Sequence, residues 1–173
     1  MGSGKTTVGR LLAERLGRPF VDLDDRIEAA AGKTISEIFA ADGEDSFRDA
    51  EARALAALLG EAGGLDAAGP DVSGPDASAP HVIALGGGAF AQQRNRDAIA
   101  AARAITVFLE APLDTLRERC AGFTHRPLAR DPAAFGQLYT ARLPHYRRAA
   151  HVVATGSGTP EDAVLAIMSS CTF

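Results

Sequence analysis

The sequence predicts an α/β domain whose parallel sheet is covered by helices on both faces, and three observations carry that prediction. Short apolar runs of strand type alternate with helical stretches along the 173 residues, the pattern of parallel strands joined by crossover helices. The chain opens on Met1-Gly2-Ser3-Gly4-Lys5-Thr6-Thr7, where Gly4-Lys5-Thr6 fill the last three places of the phosphate-binding pattern G-x-x-x-x-G-K-[ST]. A helix follows at once, with Val8, Leu11, Leu12 and Leu16 on one face at helical spacing.

The opening loop has a specific chemistry. Gly2 and Gly4 let backbone N–H groups turn toward an oxyanion with no Cβ in the way. Lys5 would reach the β and γ phosphates of a nucleotide, with Ser3 and Thr7 in the same loop and the Thr6 hydroxyl on Mg²⁺. The positive end of the following helix would point at the same phosphates. The pattern's first glycine would lie before Met1, and the strand feeding the loop further upstream, so a fifth strand is expected there. Gly-Ser-Gly near a terminus also occurs in linkers, and Gly2 with Thr6 fits the myristoylation pattern M-G-x-x-x-[ST]. The helix that begins at Lys5 favours the nucleotide loop.

Composition narrows the class. The length predicts one domain with a substantial core. A net charge of −4 gives no reason to expect a nucleic-acid partner or an anionic membrane surface. Cys120 and Cys171 have no ligand-type spacing, which predicts a reduced compartment and no zinc site. No apolar run approaches a membrane span and the N-terminus has no apolar signal core, so a cytoplasmic enzyme is expected.

Taken in order, helix Lys5–Leu16 should stop at Gly17 in the left-handed conformation. A short buried strand, Pro19 to Asp22, leads into the acidic corner Asp22-Leu23-Asp24-Asp25, where Asp25 can cap a helix through Ile27 to about Ala31. A short helix around Ile35, Ile38 and Phe39 should end at Asp42-Gly43. A longer one follows from about Ser46 to Leu59, with Phe47, Ala50, Leu55 and Leu58 inward. Residues 60–80 contain five Gly, five Ala and three Pro but no Lys, Arg or aromatic residue, a composition that cannot offset its ordering entropy and predicts a disordered surface insertion. Strand Val82–Leu85 then runs into Gly86-Gly87-Gly88. Helix Gln92–Arg103, strand Ala104–Leu109 and helix Leu113–Cys120 come next. A polar loop, 122–131, precedes helix Pro132–Arg142, which Pro144 should interrupt. Val152-Val153 is the last strand and Pro160–Met168 the last helix.

Four places can carry chemistry. Asp22 and Asp24 stand at the C-terminal end of a strand, where open α/β sheets bind ligands, and two carboxylates there could serve Mg²⁺ and an attacking hydroxyl. An isolated D-x-D is better read as a helix cap with solvated charge. Arg48, beside Phe47 after Asp42-Gly43-Glu44, suits planar recognition of a carboxylate, and a surface ion pair explains it equally well. Three glycines after a buried strand mean either close approach to the backbone or a loose turn. Arg126 in the polar loop and Arg142 before Leu143-Pro144-His145-Tyr146 could close on a phosphate, although each alone reads as surface charge.

The order and number of these elements resemble the shikimate kinase family from end to end, apart from the insertion. Gly2-Ser3-Gly4-Lys5-Thr6-Thr7 is similar to the end of that family's phosphate loop, where a methionine commonly precedes this glycine. The resemblance implies a P-loop NTPase fold of three α/β/α layers, like the nucleoside monophosphate kinases, here without its central N-terminal strand. Asp22-Leu23-Asp24 looks like the family's D-x-D, implying Asp22 near Mg²⁺ and Asp24 on the hydroxyl that is phosphorylated. Asp42-Gly43-Glu44 with Phe47-Arg48 resembles D-G-E-x-x-F-R and implies that Arg48 binds the shikimate carboxylate. Leu85-Gly86-Gly87-Gly88-Ala89 resembles the substrate-touching glycine turn, Arg126-Pro127-Leu128 the lid with Arg126 on the ATP phosphates, and Arg142-Leu143-Pro144-His145-Tyr146 a second carboxylate-binding arginine. As in the family, no aspartate follows the Val82–Leu85 strand, whereas simple NTPases would show one there.

The implied activity is ATP-dependent phosphorylation of the shikimate 3-hydroxyl with Mg²⁺, by a monomer, with Lys5 and Arg126 stabilising charge. Three departures stand out: the absent first strand, whose loss would leave backbone groups unpaired at a few kcal/mol each, the 60–80 insertion, and Ala154-Thr155-Gly156-Ser157-Gly158. The last lacks the arginine often found beside the adenine, which leaves Arg119 as the candidate for the base. A related small-molecule kinase such as gluconate kinase, and a non-catalytic nucleotide-binding remnant, are the competing readings.

Overall fold

The computed structural model describes residues 2–63, 80–121 and 132–173. Two compact units divide the chain: residues 12–104, and residues 1–11 together with 105–173.

The first unit is built around two short parallel strands, β1 (Phe20–Asp22) and β2 (Val82–Ala84). They pair in the register Phe20 to Val82, Val21 to Ile83 and Asp22 to Ala84, so both C-terminal ends reach the same edge. Helix α1 (Lys5–Leu16) enters this unit and stops where expected, at Gly17 with φ +62°. Helix α2 (Leu23–Ala31) starts directly off β1, and its cap is Asp22 rather than the expected Asp25: the Asp22 carboxylate accepts from the Asp24 N–H at 3.1 Å. The strand runs into the helix with no loop between them, which puts the capping position at the first residue of the acidic cluster rather than its last. Gly32, at φ +62°, ends α2.

Helix α3 (Ile35–Gly63) is one helical run broken at Gly43, so the two predicted helices meet at the predicted Asp42-Gly43 break. The run also takes in Gly60–Gly63, the first residues of the predicted insertion; residues 64–79 lie outside the described residues. Leu23 and Ile27 of α2 pack with Ile38, Phe47, Leu55 and Leu58 of α3, Ala89 and Ile99. A 3-10 turn, Ala89–Ala91, connects β2 to α4 (Gln93–Ala101), which ends earlier than predicted.

The second unit carries β3 (Val107–Glu110), α5 (Leu113–Ala121), α6 (Pro132–Tyr146), β4 (His151–Ala154) and α7 (Pro160–Ser170). Strands β3 and β4 are parallel, Val107 opposite His151 through Glu110 opposite Ala154. The four predicted strands are all present and their pairings are parallel, as two separate pairs among the described residues. Pro144 does not interrupt α6, because it sits in the last turn, where a missing N–H removes one hydrogen bond; Arg147 N–H still reaches the Leu143 carbonyl at 3.0 Å. Thr159 caps α7 reciprocally with Asp162: the Thr159 hydroxyl accepts from the Asp162 N–H and the Asp162 carboxylate accepts from the Thr159 N–H at 2.8 Å. Those bonds hold the Asp162 pKa below its usual value. Both cysteines are buried thiols outside any disulfide. No described helix is long and apolar enough to cross a membrane.

Gly43 has φ +80° and ψ 176°, and a Cβ there would touch nothing within 4 Å. That conformation is nearly exclusive to glycine, so the cost of a side chain is conformational rather than steric. Gly43→Ala is therefore expected to lower stability by about 1–3 kcal/mol, read as a lower denaturant midpoint at constant slope. An unchanged midpoint would contradict this.

Candidate active site

Residues 12–104 bring Asp22, Asp24, Arg48 and Gly86–Gly88 together at the C-terminal edge of the β1–β2 pair. Asp22 ends β1, Asp24 lies in the first turn of α2, and the glycine turn leaves β2 at the same edge. The cap reading of the acidic corner is realised for Asp22 alone. Its hydrogen bond to the Asp24 N–H fixes where the Asp24 side chain begins.

Two charged side chains lie close over the glycine turn. A Cβ at Gly86 would lie 2.6 Å from the Asp24 Oδ1. One at Gly88 would fall on the Arg48 guanidinium, 2.8 Å from Cζ. Both separations are far inside van der Waals contact, so of the two sequence readings, close approach holds and the loose turn does not. A carboxylate and a guanidinium thus rest on one three-residue turn.

Arg48 is not a surface charge: its side chain is only 13% exposed and lies over the Phe47 ring, 5.1 Å from the centroid. Its Nη1 donates to both Glu51 carboxylate oxygens at 3.2 and 3.1 Å. Nε and Nη2 donate to Glu44 Oε1 at 3.2 and 3.0 Å. Burial works against the charge, but Glu44 and Glu51 outweigh it by hydrogen bonding and attraction, and the Arg48 pKa stands above its usual value. The two partners differ. Glu51 is 1% exposed and belongs to the packed interior, whereas Glu44 is 65% exposed and faces solvent.

Sequence reasoning missed Glu51 and Asn95. Glu51 falls at four-residue spacing between Phe47 and Leu55, on the apolar stripe of α3, so a carboxylate in that stripe was the available signal. Asn95 shares a face with Ile99 four residues on, and both are buried.

The other unit holds Gly2, Ser3, Gly4, Lys5, Thr6 and Thr7, with Arg119 and Arg142. Gly2 and Gly4 have φ +69° and +84°, which turns the loop as a phosphate cradle requires. Gly4 carbonyl accepts the Val8 N–H at 2.8 Å, Ser3 is buried, and Lys5 opens α1. A Cβ at Gly2 would lie 2.8 Å from the Cys120 Sγ and 2.9 Å from the Leu116 carbonyl oxygen, so α5 backs the loop directly. The same helix carries Arg119, whose Nη2 donates to the Thr155 carbonyl at 2.8 Å. Arg142 is half-buried in α6. Arg126 and the 122–131 loop lie outside the described residues, as does Met1.

A phosphate-binding loop opening a helix, with an acidic strand end beside a glycine turn in a parallel α/β scaffold, defines a P-loop phosphotransferase. The family model described as shikimate kinase matches residues 1–70 and 75–172. A shikimate kinase of Symbiobacterium thermophilum is 44% identical over 175 residues, covering 97% of this chain and 90% of that protein. One of Caulobacter vibrioides is 42% identical, covering 98% and 78%. Among solved structures, the shikimate kinase of Acinetobacter baumannii in complex with shikimate matches with a TM-score of 0.82 at 34% identity, over 98% of this chain and 87% of that one. The Aquifex aeolicus shikimate kinase gives 0.78 at 32% identity, over 98% and 90%. The chain belongs to the shikimate kinase family.

Two outcomes follow from this geometry. Gly2→Ala must move either α5 or the loop, so nucleotide affinity is expected to fall by about tenfold or more, measured by calorimetric titration with ADP. Affinity equal to the parent's would show that the loop accepts a Cβ. Glu51→Ala leaves Arg48 without its buried partner, at a cost of about 3 kcal/mol. Chemical denaturation of the two single variants and the double variant Arg48→Ala with Glu51→Ala should reveal the coupling; additive losses would refute it.

Proposed function

We propose that this chain transfers the γ-phosphoryl group of ATP to the 3-hydroxyl of shikimate, giving shikimate 3-phosphate and ADP. The observation that carries the reading is the shared glycine turn, which holds the Asp24 carboxylate and the Arg48 guanidinium within one small surface. That pairing suits an alcohol that also bears a carboxylate. The Acinetobacter baumannii relative has shikimate bound, and the family likeness covers nearly the whole chain. Residues 1–173 act as one kinase domain on this reading, with 60–80 as an insertion and 122–131 as a lid.

Roles follow residue by residue. Gly2, Ser3, Gly4 and Thr7 cradle the phosphates through the backbone, and Lys5 and Arg126 offset the charge that spreads over the transferring group. Arg119 serves the base. Arg48 and Arg142 hold the shikimate carboxylate, which displaces the exposed Glu44 while Glu51 keeps Arg48 in place. Gly86, Gly87 and Gly88 form the surface against which the ring lies. The Asp24 carboxylate orients the 3-hydroxyl and takes its proton as that oxygen bonds to phosphorus and the bond to the ADP oxygen breaks.

Magnesium fits the same residues. The described residues contain no cluster of three acidic, histidine or cysteine groups. Mg²⁺ in kinases is held by one or two protein oxygens with the nucleotide's own phosphates, and the Thr6 hydroxyl and Asp22 carboxylate are hard oxygen donors of that kind. When bound, the ion neutralises charge on the β and γ phosphates. The protein is proposed to act as a cytoplasmic monomer on ATP and shikimate, with no nucleic-acid or membrane partner.

A coupled ADP-release assay tests the reading. Turnover should require ATP, Mg²⁺ and shikimate together. Asp24→Asn should lower kcat by about 10²–10⁴-fold, while Arg48→Ala should act mainly on the KM for shikimate. A folded chain that binds ADP yet releases none on adding shikimate would defeat the assignment.

A further inference from the structure

We infer that Asn95 is a positioning residue for shikimate, acting through the glycine turn. Its side chain is 2% exposed and its Nδ2 donates to the Ala89 carbonyl at 3.0 Å. A buried amide at that place is a fixed strut: the Ala89 carbonyl also accepts the Gln92 N–H at 3.2 Å, and Asn95 ties that same oxygen to the face of α4.

What the strut holds is short and fully specified. Ala89 follows the three glycines directly, and its N–H donates to the Gly86 carbonyl at 3.1 Å. Ala91 N–H donates to the Gly88 carbonyl, also at 3.1 Å. Arg96, next to Asn95 in α4, donates through Nη1 to the Phe90 and Ala91 carbonyls at 2.8 and 2.7 Å. Two neighbouring α4 side chains therefore bind three successive carbonyls of the 3-10 turn that continues the glycine turn.

Glycine cannot hold its own position, since it is the residue with the most conformations to lose. Gly86 and Gly88 nevertheless stand within sub-van der Waals reach, for any Cβ, of Asp24 and Arg48. The turn is the common floor of both groups, and a small shift in it changes the separation between carboxylate and guanidinium. Asn95 and Arg96 supply the rigidity that the glycines lack. Neither side chain needs to touch the substrate.

The inference rests on the reading of Asp24, Arg48 and the glycine turn as the shikimate-holding end. Asn95→Leu keeps the branched shape and removes the donor, and Arg96→Ala, at a half-buried position, guards against loss of folding in the first variant. Steady-state kinetics on the full chain should show the KM for shikimate raised about tenfold in Asn95→Leu and about threefold in Arg96→Ala, with the KM for ATP unchanged in both. Arg48→Ala, run alongside, separates the two ideas. If it raises the KM for shikimate and the α4 variants do not, the inference falls and the site reading stands. If Arg48→Ala leaves that KM unchanged, the site reading fails and takes the inference with it. A fall in thermal midpoint with both KM values unchanged, or both raised together, would show Asn95 to be structural only.

Discussion

The constraint on which the meeting of Asp24 and Arg48 at the β1–β2 edge depends is the absence of side-chain atoms at Gly86 and Gly88. Parallel pairing of β1 and β2 delivers an acidic helix start and a turn to one edge, a common result of this kind of sheet. Sheet geometry alone would leave those two segments a side chain apart. With no Cβ on the turn, Asp24 and Arg48 can instead lie against bare backbone. Both groups thereby lie against main chain that the strand and α4 hold at either end.

Arg48 illustrates how charge is kept in such a place. Taking a guanidinium out of water is costly, and a buried ion pair often contributes little net stability against an apolar pair of the same size. Stability is therefore a poor account of why Glu51 occupies the apolar stripe of α3. Orientation is a better one: two hydrogen bonds from Nη1 to Glu51 fix the plane of the guanidinium, and Phe47 covers one face. Nε and Nη2 donate to Glu44, whose own side chain faces solvent. One partner is thus internal and the other external, so the guanidinium is held from the core on one side and from the solvent-facing side on the other.

Local chemistry made much of this readable in advance. Gly17 and Gly43 marked breaks that the backbone respects with positive φ, and the inward set of Phe47, Ala50, Leu55 and Leu58 follows from helical spacing alone. The phosphate loop and the D-x-D corner were visible as motifs. What could not be read depends on partners distant in sequence. The choice of Asp22 over Asp25 as cap turns on β1 running into α2 with no intervening loop. Glu51 and Asn95 each sit in an apolar stripe, yet spacing cannot say that one meets Arg48 and the other the Ala89 carbonyl. Pro144 misled because a proline's cost depends on how many helical bonds remain beyond it, and near Tyr146 almost none do.

The opening glycine loop is arranged on a different principle. Helix α5 supplies the Leu116 carbonyl and Cys120 Sγ beneath Gly2 and, one residue away, Arg119. Arg119 is itself oriented by a main-chain carbonyl, that of Thr155, while the Thr155 N–H and hydroxyl both donate to the Glu110 carbonyl at 2.7 and 3.3 Å. Gly156 lies so close to Pro112 that a Cβ would reach its Cδ at 2.6 Å, which presses the Thr155 turn onto the start of α5. The stretch Ala154 to Gly158 lacks an arginine, and this arrangement gives its backbone a different task, that of aiming the arginine of α5. Because the acceptor is a peptide carbonyl, side-chain variation along that stretch leaves the aim of Arg119 intact so long as the turn keeps its contact with Pro112. Arg119 and the floor of the opening glycine loop are then parts of one helix, so the spacing between them is set by helical rise rather than by loop length.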